Sequence, residues 1–190
     1  MKKLLICVCL VLLALTFSCD DSEGPSLPPT PTPTIPVDYP ILINGALVTG
    51  FGMGVDDSQR LRNWVSTITN SLRIQYPGGL EWGAVFITVG GNPVDHPTSS
   101  ENLSQYTKLA IEMKGVSGGE CVQVGMKDIE DPNDGSETKH SVHLTAGWNT
   151  YEFNLLDFTG LQINQVYVVT ELVFPCPEEQ NTAQTVEVRT

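Results

Sequence analysis

The chain has little positive charge: 10 lysines and arginines stand against 22 aspartates and glutamates in 190 residues. Such a field repels nucleic acid and anionic lipid, which excludes both as expected partners. Cysteine is sparse too, five residues of which three fall within the first nineteen. No Cys-x-x-Cys or Cys/His spacing suggests a zinc site. No window of helical length keeps apolar residues at a 3.6 period, so helix is not expected. His96, His140 and His143 carry no spacing that ties them to a nucleophile. The long apolar run, Leu4 to Phe17, falls short of the ~20 residues that a membrane span needs.

That run follows Met1-Lys2-Lys3 and closes on Ser18-Cys19-Asp20-Asp21, the order of a secretory signal. A cysteine at the cut with Leu15 upstream resembles a bacterial lipoprotein signal, and the acidic pair resembles the export tag of Bacteroides-like surface lipoproteins. The resemblance implies a signal peptide over 1–18 and lipid attachment at Cys19. It also implies a place in the bacterial cell envelope, anchored to the outer membrane and surface-exposed, with the lipid as the sole membrane contact. An ordinary signal with an incidental cysteine gives the same extracytoplasmic address. Loss of Lys2 and Lys3 with the signal leaves 8 basic against 22 acidic residues, a balance near −14. From Glu23 the chain reads EGPSLPPTPTPTIPVDYP. This composition forms extended polyproline II, so 19–40 is expected to be a tether whose proline-rich part spans roughly 50 Å. Residues 41–190 then suit one domain.

In that domain apolar and polar residues alternate in short runs punctuated by Gly, Pro, Asn and Asp. The predicted strands are Ile41–Val48, Trp64–Thr69, Leu72–Tyr76, Trp82–Val89, Tyr106–Met113, Cys121–Lys127, Thr138–Leu144, Thr150–Leu155, Gln165–Phe174 and Thr185–Arg189. Some ten strands with close turns predict an all-β antiparallel sandwich or jelly roll. Period two sets Val122, Val124 and Met126 against Gln123 and Lys127, and Leu72, Ile74 and Tyr76 against Arg73 and Gln75. Trp82, Ala84 and Phe86 share one side of their strand, and Val85, Ile87 and Val89 the other. The Gln165–Phe174 run is apolar on both phases, hence central, with Glu171 among hydrophobes. Cys121 and Cys176 are either one disulfide or two small buried hydrophobes; the sequence leaves this open. The acidic loop from Asp128 fails an EF-hand template because Pro132 falls on a ligand position. A hairpin closed by Asp134-Gly135 explains it.

The blocks GFGMGVDDSQRLRNW, YPGGLEWGAVFITVGG, GGECVQVGMKD and DGSETK, with WNTYEFNL and VYVVTELVF, resemble the galactose-binding-like jelly-roll domains that serve as carbohydrate-binding modules attached to bacterial glycoside hydrolases. The resemblance spans 45 to 189. It implies two stacked antiparallel sheets and a neutral oligo- or polysaccharide as partner, with glycoside hydrolases acting nearby. Sugar hydroxyls need donors and acceptors on a rigid sheet, which singles out Gln75, Gln123, Lys127, Lys139 and Glu171. The apolar face of a pyranose stacks on aromatic rings. Of Trp64, Tyr76, Trp82, Tyr106, Trp148, Tyr151 and Tyr167, the ring after the Gly-rich turn, Trp82, is the candidate; Trp148 is expected to be a buried structural residue. Such modules often hold one structural calcium, for which Asp56, Asp57 and Glu187 are the candidates; no other cofactor is expected. Catalysis would need two facing carboxyls, and neither Glu112 nor Glu171 is tied to a partner by spacing, so no enzyme is expected. The alternative is a structural or protein-interaction lipoprotein domain with no sugar site, since fold alone does not fix function.

Overall fold

The computed structural model describes residues 38–91, 93, 97–131, 134–178 and 181–189. The signal segment, Cys19, most of the tether and His96 lie outside them. Twelve strands follow in chain order: β1 Leu42–Ile43, β2 Ala46–Leu47, β3 Phe51–Asp57, β4 Val65–Ile68, β5 Ser71–Tyr76, β6 Gly83–Val89, β7 Lys108–Gly115, β8 Cys121–Asp128, β9 Lys139–His143, β10 Asn149–Asn154, β11 Val166–Phe174 and β12 Gln184–Arg189. Among the described residues a single 3-10 turn, Leu155–Asp157, interrupts them. The larger strands form two five-stranded sheets, a back sheet β10-β7-β12-β5-β4 and a front sheet β3-β6-β11-β8-β9. Every pairing in both is antiparallel. The chain is an all-β sandwich, as its alternation predicts.

The core lies between the sheets. Val85, Ile87, Val122, Val124, Met126, Val169, Leu172 and Phe174 project from the front sheet, and Leu72, Ile74, Tyr76, Leu109, Ile111, Met113, Val186 and Val188 from the back. Trp64, Tyr76 and Phe174 meet there as a ring cluster, with Tyr76 and Phe174 stacked 5.1 Å apart. Each strand thereby buries one parity and turns the other outward, the behaviour that a period of two dictates. His140 packs inward on Phe158 and His143 is exposed, so the two histidines lie on opposite faces. Cys121 and Cys176 are joined, with a Cα–Cα separation of 5.9 Å, which settles the open pairing.

Two predicted elements differ. Ile41–Val48 is a tight hairpin rather than one strand: Asn44 and Gly45 take φ of 50° and 74°, the left-handed pair of a type I′ turn. Gly45 also passes so close to Ser71 that a Cβ would lie 2.5 Å from its backbone nitrogen. Strand β3 has no counterpart among the predicted strands, because Gly52 and Gly54 read as turn residues. Both glycines point outward, while Phe51, Met53 and Val55 pack against the core. Gly54 accommodates a neighbour, since a Cβ there would come 2.4 Å from the Phe86 ring.

Candidate functional site

The outer face of the front sheet can be read as three rows, because register fixes which outward residues stand side by side. The first row runs Asp56, Ala84, Val173, Gln123, Ser141 across all five strands. The second runs Gly54, Phe86, Glu171, Gly125, Lys139, and the third Gly52, Thr88, Val168, Lys127. Four interstrand spacings make each full row roughly 19 Å long. Trp82 precedes β6 with the outward parity of Ala84 and Phe86, and 43% of it is exposed.

Four of the expected polar residues, Gln123, Lys127, Lys139 and Glu171, therefore share one face and lie on adjacent strands. Gln75 does not. It sits on β5 of the back sheet, opposite Thr185, with the whole sandwich between it and Gln123. Strand alternation orients a side chain but carries no record of which sheet its strand joins, and this is why alternation alone groups Gln75 with the rest.

The second and third rows close over themselves. Glu137, just before β9, places its carboxylate between two ammonium groups: Lys127 Nζ lies 3.3 Å from Oε2, and Lys139 Nζ pairs with Oε1. Glu171 is only 6% exposed, and its Oε1 is buried with no hydrogen-bond partner. Burial pushes the Glu171 carboxyl up to about 8, and the neighbouring Glu137 adds to this. Burial would raise Glu137 as well, but its hydrogen bonds to Glu171 and Lys139 prevail and hold it near 2. The pair shares one proton, so at neutral pH Glu171 donates to the Glu137 carboxylate. Glu171 is buried and the Glu137 side chain is 5% exposed, so neither carboxyl presents a surface to a sugar ring. Lys127, Lys139 and Glu171 thus form a sealed wall rather than an open platform. Their polar groups serve each other first.

Gly125 makes this wall possible. A Cβ there would lie 2.4 Å from Glu171 Oε1. Gly125→Ala is expected to destabilise the fold by about 1–3 kcal/mol through overpacking against a buried carboxyl, read as a lowered denaturant midpoint. A midpoint unchanged from wild type would show that the carboxyl has space to move.

What stays open is the first row with Trp82 and the half-buried Phe86 beside it. Ala84 and Val173 give a low apolar floor between the exposed indole and Gln123, whose carboxamide has no hydrogen-bond partner among the described residues. Asp56 closes the far end, paired with Arg62 at 2.8 Å. Sequence reading missed Phe86, Ser141 and Glu137. Phe86 shares the parity of Trp82, which was its only signal, and Glu137 lies outside any periodic segment and had none.

The other aromatic candidates go elsewhere. Trp64 and Tyr76 are core residues, 5% and 1% exposed. Tyr167 is buried as well, and Tyr106 packs against Tyr39. The Tyr151 hydroxyl accepts from Thr145 N. Trp148 is half-buried on the outer back sheet instead of structural in the core, with Arg189 4.2 Å and Lys114 5.1 Å from its ring.

The calcium candidates do not fit an ion. Asp57 is saturated: Oδ1 accepts from Gln59 N and Leu61 N, and Oδ2 from Arg62 N and Trp64 Nε1. Asp56 is neutralised by Arg62. Glu187 belongs to the back sheet, where Arg73 and Lys114 hold it at 2.5 and 2.9 Å. Burial works to raise the Glu187 carboxyl, but those two cations keep it below the usual range. Carboxylates on opposite sheets, each with its charge already compensated, make no common site.

The fold has solved counterparts. A variant of a family 29 carbohydrate-binding module in complex with mannohexaose superposes with a TM-score of 0.53 at 12% identity, over 79% of this chain and 85% of that one. Another family 29 variant, in complex with cellulohexaose, gives 0.52 at 12% identity over 79% and 84%. The family 30 module of a cellulosomal cellulase of Clostridium thermocellum gives 0.50 at 17% identity over 82% and 92%. No family model and no curated protein matches the sequence. At such identities the likeness establishes the architecture: the chain has the β-sandwich fold of carbohydrate-binding modules.

Proposed function

We propose that the domain binds neutral oligo- or polysaccharide, without catalysis, along the first row of the front sheet. The observation that carries this is the exposed Trp82 beside a low Ala84–Val173 floor that ends in the unengaged carboxamide of Gln123 and the Ser141 hydroxyl. A pyranose stacks its C–H face on an indole while amide and hydroxyl groups meet its ring hydroxyls. Lys127, Lys139, Glu137 and Glu171 act as a rigid end wall. The sugar complexes of the family 29 modules support the same ligand class through the shared architecture. Trp82→Ala is expected to weaken binding at least tenfold, about 1.4 kcal/mol, with the fold intact. Calorimetric titration with cellulohexaose and mannohexaose checks this, and unchanged affinity removes Trp82 from the site.

The leader and tether support a fuller setting: lipid attachment at Cys19, an outer-membrane surface address, and glycoside hydrolases nearby that use the captured polymer. Labelling with a radioactive fatty acid, lost on Cys19→Ala, tests the anchor. The sealed wall favours a second reading, a structural or protein-interaction domain whose polar face is complete in itself. A glycan array separates the two. Silence across plant, host and bacterial glycans favours the second.

A further inference from the structure

At the end of the front sheet, beyond Gln123 and Ser141, Cys121 of β8 stands opposite His143 of the edge strand β9. Glu178 folds over the same spot: its Oε1 lies 3.9 Å from Cys121 Sγ and 3.8 Å from His143 Nε2. The three donor atoms all fall within 4.8 Å of one another. A fourth donor, Cys176 Sγ, is held against the first by the disulfide. While that bond exists neither sulfur is a thiolate, so the oxidised cluster offers an ion only an imidazole and a carboxylate.

We propose that the reduced protein binds a zinc-class divalent ion here, through Cys121, Cys176, His143 and Glu178, so that a metal cross-link replaces the covalent one. Two thiolates, one imidazole and one carboxylate are the donor types and number of a tetrahedral zinc site. Zn–S bonds of ~2.3 Å at a tetrahedral angle set the sulfurs about 3.8 Å apart. The Cα–Cα distance of 5.9 Å permits this by side-chain rotation alone. Both cysteines are buried, at 0% and 1%, while His143 and Glu178 have side chains about half exposed. The ion would therefore enter from solvent between imidazole and carboxylate and rest on the sulfurs beneath. Reduction requires an external dithiol. It transfers two electrons and two protons, breaking the S–S bond to give two thiols and becoming a disulfide itself. Metal binding then releases the two thiol protons.

The disulfide ties the start of β8 to the segment after β11, so either cross-link would hold the same two places. The proposal is independent of sugar binding.

The test is anaerobic titration of the dithiol-reduced, desalted domain with Co2+, followed by displacement with Zn2+. One equivalent is expected to develop near-ultraviolet thiolate-to-cobalt charge transfer and tetrahedral visible bands, and Zn2+ to abolish both. The oxidised protein should show neither. His143→Ala and Glu178→Gln should each weaken Co2+ binding at least tenfold, and the Cys121→Ser, Cys176→Ser double variant should abolish it. If reduction loosens the fold, Zn2+ is expected to restore its melting transition. Absence of thiolate bands, failure of that restoration in a loosened protein, or wild-type affinity in both the His143 and Glu178 variants would each overturn the site.

Discussion

Replacing Asp57 with alanine is expected to lower stability by about 3–5 kcal/mol, enough to leave the domain marginal. Asp57 ends β3 with a carboxylate that is 2% exposed and accepts four hydrogen bonds. Three come from backbone N–H groups of the 58–62 loop, in which Arg60 and Arg62 hold left-handed φ of 58° and 53°. Non-glycine residues adopt that region at a cost of order 1 kcal/mol or more, and they remain there only when the surroundings fix them. The fourth bond comes from Trp64 Nε1, on the ring that packs edge-on against Tyr76 and Phe174. Truncation therefore strands a buried indole donor, frees three amides and releases two strained residues. Each unsatisfied buried donor costs ~1–3 kcal/mol, so the total falls among the large single-site effects. Urea denaturation followed by tryptophan fluorescence measures it, and a loss below about 1 kcal/mol would contradict the arrangement. Burial acts to raise the Asp57 carboxyl, but these bonds prevail and hold it near 2. The stabilisation is thus complete above the unfolded carboxylate value near 4 and is lost as pH falls toward 2.

Glu171→Gln is expected to change the shape of the stability–pH curve rather than its height. The Glu171 carboxyl titrates near 8 when folded, against 4.5 as an unperturbed side chain. Between those values the folded state holds a proton that the unfolded state has released. Stability therefore falls as pH rises from about 4.5 to 8, by on the order of a few kcal/mol, and is fully present only below 4.5. Glutamine matches the protonated acid in shape and donates an N–H to Glu137 in its place, without a proton to lose. The variant should equal wild type within roughly 0.5 kcal/mol at pH 5 and exceed it by ~2 kcal/mol or more at pH 9. Parallel curves for the two proteins would show that the Glu137–Glu171 pair does not share a proton. Glu137 has the opposite sign: its carboxyl lies near 2, so its contribution is lost as pH falls below 4.5.

How far the sequence reaches is clearest on β8. Val122, Val124 and Met126 were legible as core and Gln123 and Lys127 as outward, because one parity of a half-buried strand must be apolar. The same alternation separated the faces of β5 and β6 and marked the central place of β11. It failed where local composition has a second meaning. Gly52 and Gly54 signal a turn in isolation, yet both lie within β3, where Gly54 makes room for the Phe86 ring. Gln75 and Glu187 were each joined to residues of the front sheet, because sheet membership depends on long-range pairing order. The sealing of Lys127, Lys139 and Glu171 was equally invisible, since it depends on Glu137 reaching over from a loop. Trp82 was legible because an aromatic directly after a Gly-rich turn, on the outward parity of its strand, has little around it to bury it.

Titrating the 15N-labelled domain with cellulohexaose and mannohexaose, and mapping the shifted amide signals, measures the binding face directly. Shifts are expected at Trp82, Ala84, Val173, Gln123 and Ser141, with those of Arg73, Gln75 and Thr185 on the back sheet unmoved. Shifts confined to the back sheet, or none in a folded protein at millimolar sugar, would contradict a carbohydrate site on the front sheet.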